Sequence, residues 1–135
     1  MRAARIYLTF IALISVVFGV IYLVAPLTMT TPMGFGELKR SALTDVRANY
    51  GGFQIGTGLF LFFCLRRERL RLGMLLAFLL AAAIAASRVV GFALDRDVVP
   101  PLQGALIFEI ALALISLVIY VRMPGSEQHS RASRR

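Results

Sequence analysis

Cysteine occurs once in the 135-residue sequence, at Cys64, and histidine once, at His129. One of each cannot build a disulfide framework, a zinc site, a haem ligand pair or a Cys/His catalytic couple within a single chain. No metal and no cofactor is therefore expected. Acidic residues are also scarce, seven against fifteen Lys and Arg, giving a net charge of +8. Of the carboxylates, Glu109 alone falls deep inside an apolar run, and no nucleophile stands beside it. A phosphate-binding loop is missing too, because the "GFG" at 34–36 follows no strand pattern and lacks the Lys-Ser/Thr element. The basic excess invites a nucleic-acid reading, but no basic cluster is interleaved with aromatics on a folded soluble surface. No nucleic-acid partner is expected, and anionic membrane lipid accounts better for the charge.

What the sequence has in abundance is apolar length. Hydrophobic residues make up 59% and charged residues 16%, with a mean hydropathy of +0.78. Four stretches have the roughly 20 apolar residues that a helix needs to cross a bilayer: 6–25, 46–65, 72–94 and 102–121. The expected fold is an all-α integral membrane four-helix bundle over residues 1–122, followed by a disordered basic tail at 123–135. The apolar block at the N-terminus is longer than a signal-peptide core, and no small-x-small cleavage site follows it before Pro26, so it reads as a retained helix. Ten of the fifteen basic residues fall on the side of the two termini. By the positive-inside rule that side is cytoplasmic.

The second stretch is the least lipid-like. At about 100° per residue, Arg47, Tyr50, Gln54 and Gly58 share one face, while Asn49, Gly52 and Gly56 lie on another. Gly52 and Gly56 form a small-xxx-small pair suited to close helix contact. Gly51, Gly58 and Gly91 are expected to serve packing in the same way, as are Ala12, Ser15, Gly19 and Tyr22 on the first helix. The third stretch holds Arg88, six residues before its outer end and so roughly 9 Å deep. The fourth holds Glu109, seven residues past Leu102 and about 10 Å deep on the same side. Matching depths on neighbouring antiparallel helices predict an Arg88–Glu109 ion pair, with Gln54 and Tyr50 adding hydrogen bonds. Arg47 and Arg88 against one Glu109 leave a positive surplus, which favours a small anionic or amphipathic guest.

The segments "DVRANYGGFQIGTGLFLFF", "SRVVGFALD" and "FEIALAL" resemble an uncharacterised family of small four-helix bacterial membrane proteins, known as a domain of unknown function. The likeness covers nearly the whole chain to about Tyr120. It rests on Arg47, Tyr50, Gly51, Gly52, Gln54 and Gly58 together with Arg88, Gly91 and Glu109. A looser similarity, in architecture only, links the chain to DoxX-like membrane proteins. The resemblance implies a multi-pass protein of a bacterial inner membrane and carries over no catalytic role. Three functions are weighed: binding or moving a small anionic or amphipathic molecule in an outer-half pocket formed by Arg47, Tyr50, Gln54, Arg88 and Glu109; serving as an accessory or assembly subunit, with homo- or hetero-oligomeric contacts through the Gly52/Gly56 face; and acting as an isomerase-like enzyme in which Glu109 shuttles a proton. The first ranks highest and the enzyme last.

Overall fold

Leucine and alanine dominate the apolar runs, and proline is confined to their edges, so nothing interrupts the backbone ladder inside them. The computed structural model describes residues 1–123, and every regular element among them is helical. In order these are α1 (Arg2–Val24), α2 (Pro26–Thr30), a 3-10 turn (Thr31–Met33), α3 (Arg40–Val46), a π-helical segment (Arg47–Gly52), α4 (Phe53–Arg66), α5 (Leu70–Asp95) and α6 (Pro100–Arg122). Pro100 and Pro101 open α6, where the missing N–H groups would have had no helical partner. The expected tail, apart from Met123, lies outside the described residues.

Three helices, α1, α5 and α6, are long and apolar enough to cross a membrane. The stretch at 46–65, expected as a fourth uniform span, is built differently. Helical backbone begins earlier, at Arg40, and continues to Arg66, but the π segment divides it into two shorter α-helices. At the end of that segment the Phe53 N–H reaches back to the Ala48 carbonyl. Such a widened turn takes in one extra residue and resets the register of everything before it.

The closest pairings are α1 with α4 and the π segment, and α5 with α6, with α5 joining the two pairs. Glycine decides the first of these. A Cβ at Gly58 would lie 2.6 Å from Val16 Cγ2 and 2.8 Å from the Ala12 carbonyl oxygen, and one at Gly51 would lie 3.1 Å from the Gly19 carbonyl oxygen. The two backbones are therefore in contact, antiparallel, at positions where only hydrogen fits. The glycines thus divide otherwise than expected for packing. Gly51 and Gly58 make the contact; Gly52 and Gly56 are exposed, with nothing nearer than 4.0 Å to an added Cβ at either, and Gly91 would meet only Asp95 of its own helix, at 3.9 Å.

The hydrophobic core sits toward one end. Leu8 of α1, Leu61 of α4 and Met74 of α5 are fully buried, joined by Ala4, Ile11, Ala12, Leu70 and Ala77. Gly73, Ala77, Ala81 and Ala85 form a buried ridge at four-residue spacing, which lets α5 approach its neighbours. Beyond Ala85 no residue of α5 is buried, and α6 buries only Ala113 and Ser116. Large apolar side chains cover the outside instead, Val17 at 53% and Ile107 at 69% exposure among them. Apolar exposure on that scale is foreign to a soluble monomer and compatible with a membrane protein.

Replacing Gly58 with Ala should destabilise the fold by about 1–3 kcal/mol, because the neighbours at 2.6 and 2.8 Å include backbone that cannot yield. Gly56→Ala, into open space, should be neutral or stabilise by about 0.5–1 kcal/mol through the helix propensity of alanine. Denaturant unfolding of both variants in detergent micelles measures the difference.

Candidate functional site

Away from the core, at the end formed by the last turns of α1 and α5 and the first turns of α6, polar residues gather. Arg88 stands seven residues before the end of α5 and Glu109 nine residues into α6. Arg88 Nε donates to Glu109 Oε2 at 3.0 Å and Arg88 Nη2 donates to Glu109 Oε1 at 2.6 Å. The planar guanidinium and the carboxylate thus meet fork to fork, the strongest arrangement open to this pair. Both are mostly enclosed, with side chains 21% and 13% exposed. The depth argument made on the sequence therefore locates the pair correctly.

The second-stretch residues lie differently from what was expected. Tyr50 makes no hydrogen bond to the pair among the described residues; its ring stacks on Tyr22 of α1 at 5.3 Å between centroids and meets the edge of Phe35 at 6.4 Å. Tyr22 and Tyr50 nevertheless stand within electrostatic reach of the Arg88 guanidinium. Arg47 donates from Nε to the Leu23 carbonyl at 3.0 Å. That carbonyl belongs to the last turn of α1, where no later helical N–H reaches it, so Arg47 serves as a C-terminal cap and offsets the negative end of the helix dipole. That bond occupies one of the five guanidinium N–H groups. Gln54 is half-buried and has no side-chain hydrogen bond among the described residues. The widened π turn lies between Arg47 and Gln54, and the single face drawn for them at 100° per residue does not survive it.

The connection after α1 folds across this end. Pro26 and Thr30 are buried, the Tyr22 hydroxyl donates to Met33 Sδ at 3.8 Å, and the 3-10 turn reaches α6. The aromatic stack from α1 and the π segment and the ion pair from α5 and α6 therefore face one seam between the two helix pairs, with the connection above it.

The family model of the Domain of unknown function (DUF4345) matches residues 3–120. The chain belongs to this family. No curated protein and no solved structure matches it. The DUF4345 match takes in α1 through almost the whole of α6, and with them the ion pair, the tyrosine stack and the π turn. Among the described residues no three His, Cys, Asp or Glu side chains come together as a metal site would need.

One polar contact escaped the sequence reading. Tyr7 of α1 donates its hydroxyl to the Leu112 carbonyl of α6 at 2.7 Å and lies 3.0 Å from the Ser116 hydroxyl, which is fully buried. The signal was available, since Tyr7 near the start of α1 and Ser116 near the end of α6 are lone polar groups at similar depth. Arg71 closes the same side, donating to the Met123 carbonyl at 3.2 Å with its guanidinium 4.6 Å from the Tyr120 ring centroid.

Arg88→Leu leaves the Glu109 carboxylate without its partner and should cost about 3 kcal/mol. The double variant Arg88→Leu/Glu109→Leu should recover most of that loss, because no lone charge remains enclosed. A double-mutant cycle on thermal unfolding in detergent reads both.

Proposed function

We propose that this is a small multi-pass protein of a bacterial plasma membrane whose seam binds, or passes along, a small amphipathic or anionic molecule. In this reading the helical run from Arg40 to Arg66 is the fourth crossing. At 1.5 Å per residue it extends roughly 40 Å, enough for a hydrocarbon core of about 30 Å, and both termini lie in the cytoplasm.

The observation that carries the proposal is the unspent hydrogen-bonding capacity of Arg88. A guanidinium has five N–H donors. Two are taken by Glu109, and the described residues offer no acceptor to the other three. No side-chain nitrogen left without a partner is buried among the described residues, so the remaining donors are open to water or to a guest with acceptor oxygens. Tyr22, Tyr50 and Phe35 give an aromatic wall beside this polar floor. Together they suit a molecule with one oxygen-bearing end and an apolar body. Glu109 accepts through both oxygens from Arg88, which supports binding over a proton-shuttling isomerase role.

A second reading, an accessory or assembly subunit, has its own support. Gly52 and Gly56 present a smooth, uncovered strip of backbone on which another membrane helix could pack closely.

The test is extraction of small molecules and lipids bound to protein purified in mild detergent, identified by mass spectrometry. Wild type should retain an amphipathic species that Arg88→Leu/Glu109→Leu loses while its melting temperature stays close to wild type. The same species at the same occupancy in both proteins would overturn the reading.

A further inference from the structure

At the opposite end of the molecule a groove of about 300 Å³ runs between α1 and α4, lined by Arg5, Thr9, Phe62, Leu65 and Arg66. Its chemistry is divided. Two guanidinium groups and a hydroxyl stand beside two apolar side chains. Arg5 gives one N–H to Glu68 at 2.8 Å, which leaves others free, and the Arg66 guanidinium has no acceptor among the described residues. Among the described residues Glu68 is the sole carboxylate at an end that collects seven arginines from the start of α1, the α4–α5 turn, the start of α5 and the end of α6. The apolar character continues away from the charges: Leu13, one turn beyond Thr9 on α1, and Leu59, one turn before Phe62 on α4, are 52% and 59% exposed.

We propose that this groove binds one anionic phospholipid, with its phosphate between Arg5 and Arg66 and an acyl chain along Phe62, Leu65 and the Leu13/Leu59 surface. Charge complementarity selects the phosphate. The apolar continuation along both helices selects a lipid rather than a soluble anion, whose hydrated body would gain nothing from it. The site rests on the membrane reading above but shares no residue with the seam, so the two stand or fall separately.

The experiment adds phosphatidylglycerol or phosphatidylcholine of equal chain length to the full-length protein in detergent and counts bound lipids by native mass spectrometry. Wild type should prefer phosphatidylglycerol. Arg66→Gln, which removes no side-chain hydrogen bond or ion pair among the described residues, should weaken that binding about fivefold, and Arg5→Gln/Arg66→Gln should weaken it further, at about fivefold per charge. Lys39→Gln/Arg96→Gln changes the net charge equally, at exposed positions on the opposite end, and should leave binding unchanged. Equal binding of the two lipids, equal losses in the two double variants, or displacement by excess inorganic phosphate would each overturn the proposal.

Discussion

A guanidinium and a carboxylate enclosed among apolar helices are tolerable only together, and the Arg88–Glu109 contact is where this molecule meets that constraint. Two parallel hydrogen bonds at 2.6 and 3.0 Å tolerate little sliding of α5 against α6. Neither helix has strong patterning of its own in this region: α5 buries nothing beyond Ala85, and α6 only Ala113 and Ser116. Leucine against leucine leaves register loosely specified, and one charge pair fixes it. A buried ion pair can serve specificity more than stability, and its isolation from the apolar core suits that role here.

The two ends of the bundle are held by different forces. Near the start of α1, Leu8, Leu61 and Met74 pack without exposure, and the Tyr7–Ser116 and Arg71–Met123 contacts join α6 to that core. Toward the far end dispersion gives way to directional contacts: the ion pair, the Tyr22–Tyr50 stack, and the Arg47 cap on α1. Backbone contact at Gly51 and Gly58 is what connects the two regimes, because it sets the distance between α1 and its partner along the whole length of both.

The sequence carried α1, α5 and α6 to within four residues at every end, since long apolar runs bounded by charge or proline leave few alternatives. It also carried the ion pair, because matched depth on adjacent helices is a geometric argument that needs no coordinates. The second stretch was less legible. A π turn arises from local backbone accommodation between neighbours and has no hydropathy signal, so neither the Arg47 cap on α1 nor the stacking of Tyr50 on Tyr22 was legible. The glycines were legible in part, Gly51 and Gly58 packing as expected and Gly52 and Gly56 not, for a related reason. Small-xxx-small spacing at Gly52 and Gly56 states that close approach is sterically allowed, whereas the choice of Gly51 and Gly58 depends on which way the helix is turned toward Gly19. Tyr7 and Ser116 could have been paired by the same depth logic as Arg88 and Glu109; a hydroxyl among apolar residues simply draws less attention than a charge.

The uneven distribution of the core also gives the bundle a built-in pivot. With its dry packing concentrated around Leu8, Leu61 and Met74, a small splaying of one helix pair from the other leaves those contacts almost undisturbed while its displacement grows along the helix axes. The tyrosine rings and the ion pair sit at the long arm of that lever, in the way the tips of tweezers move most when the joint moves least.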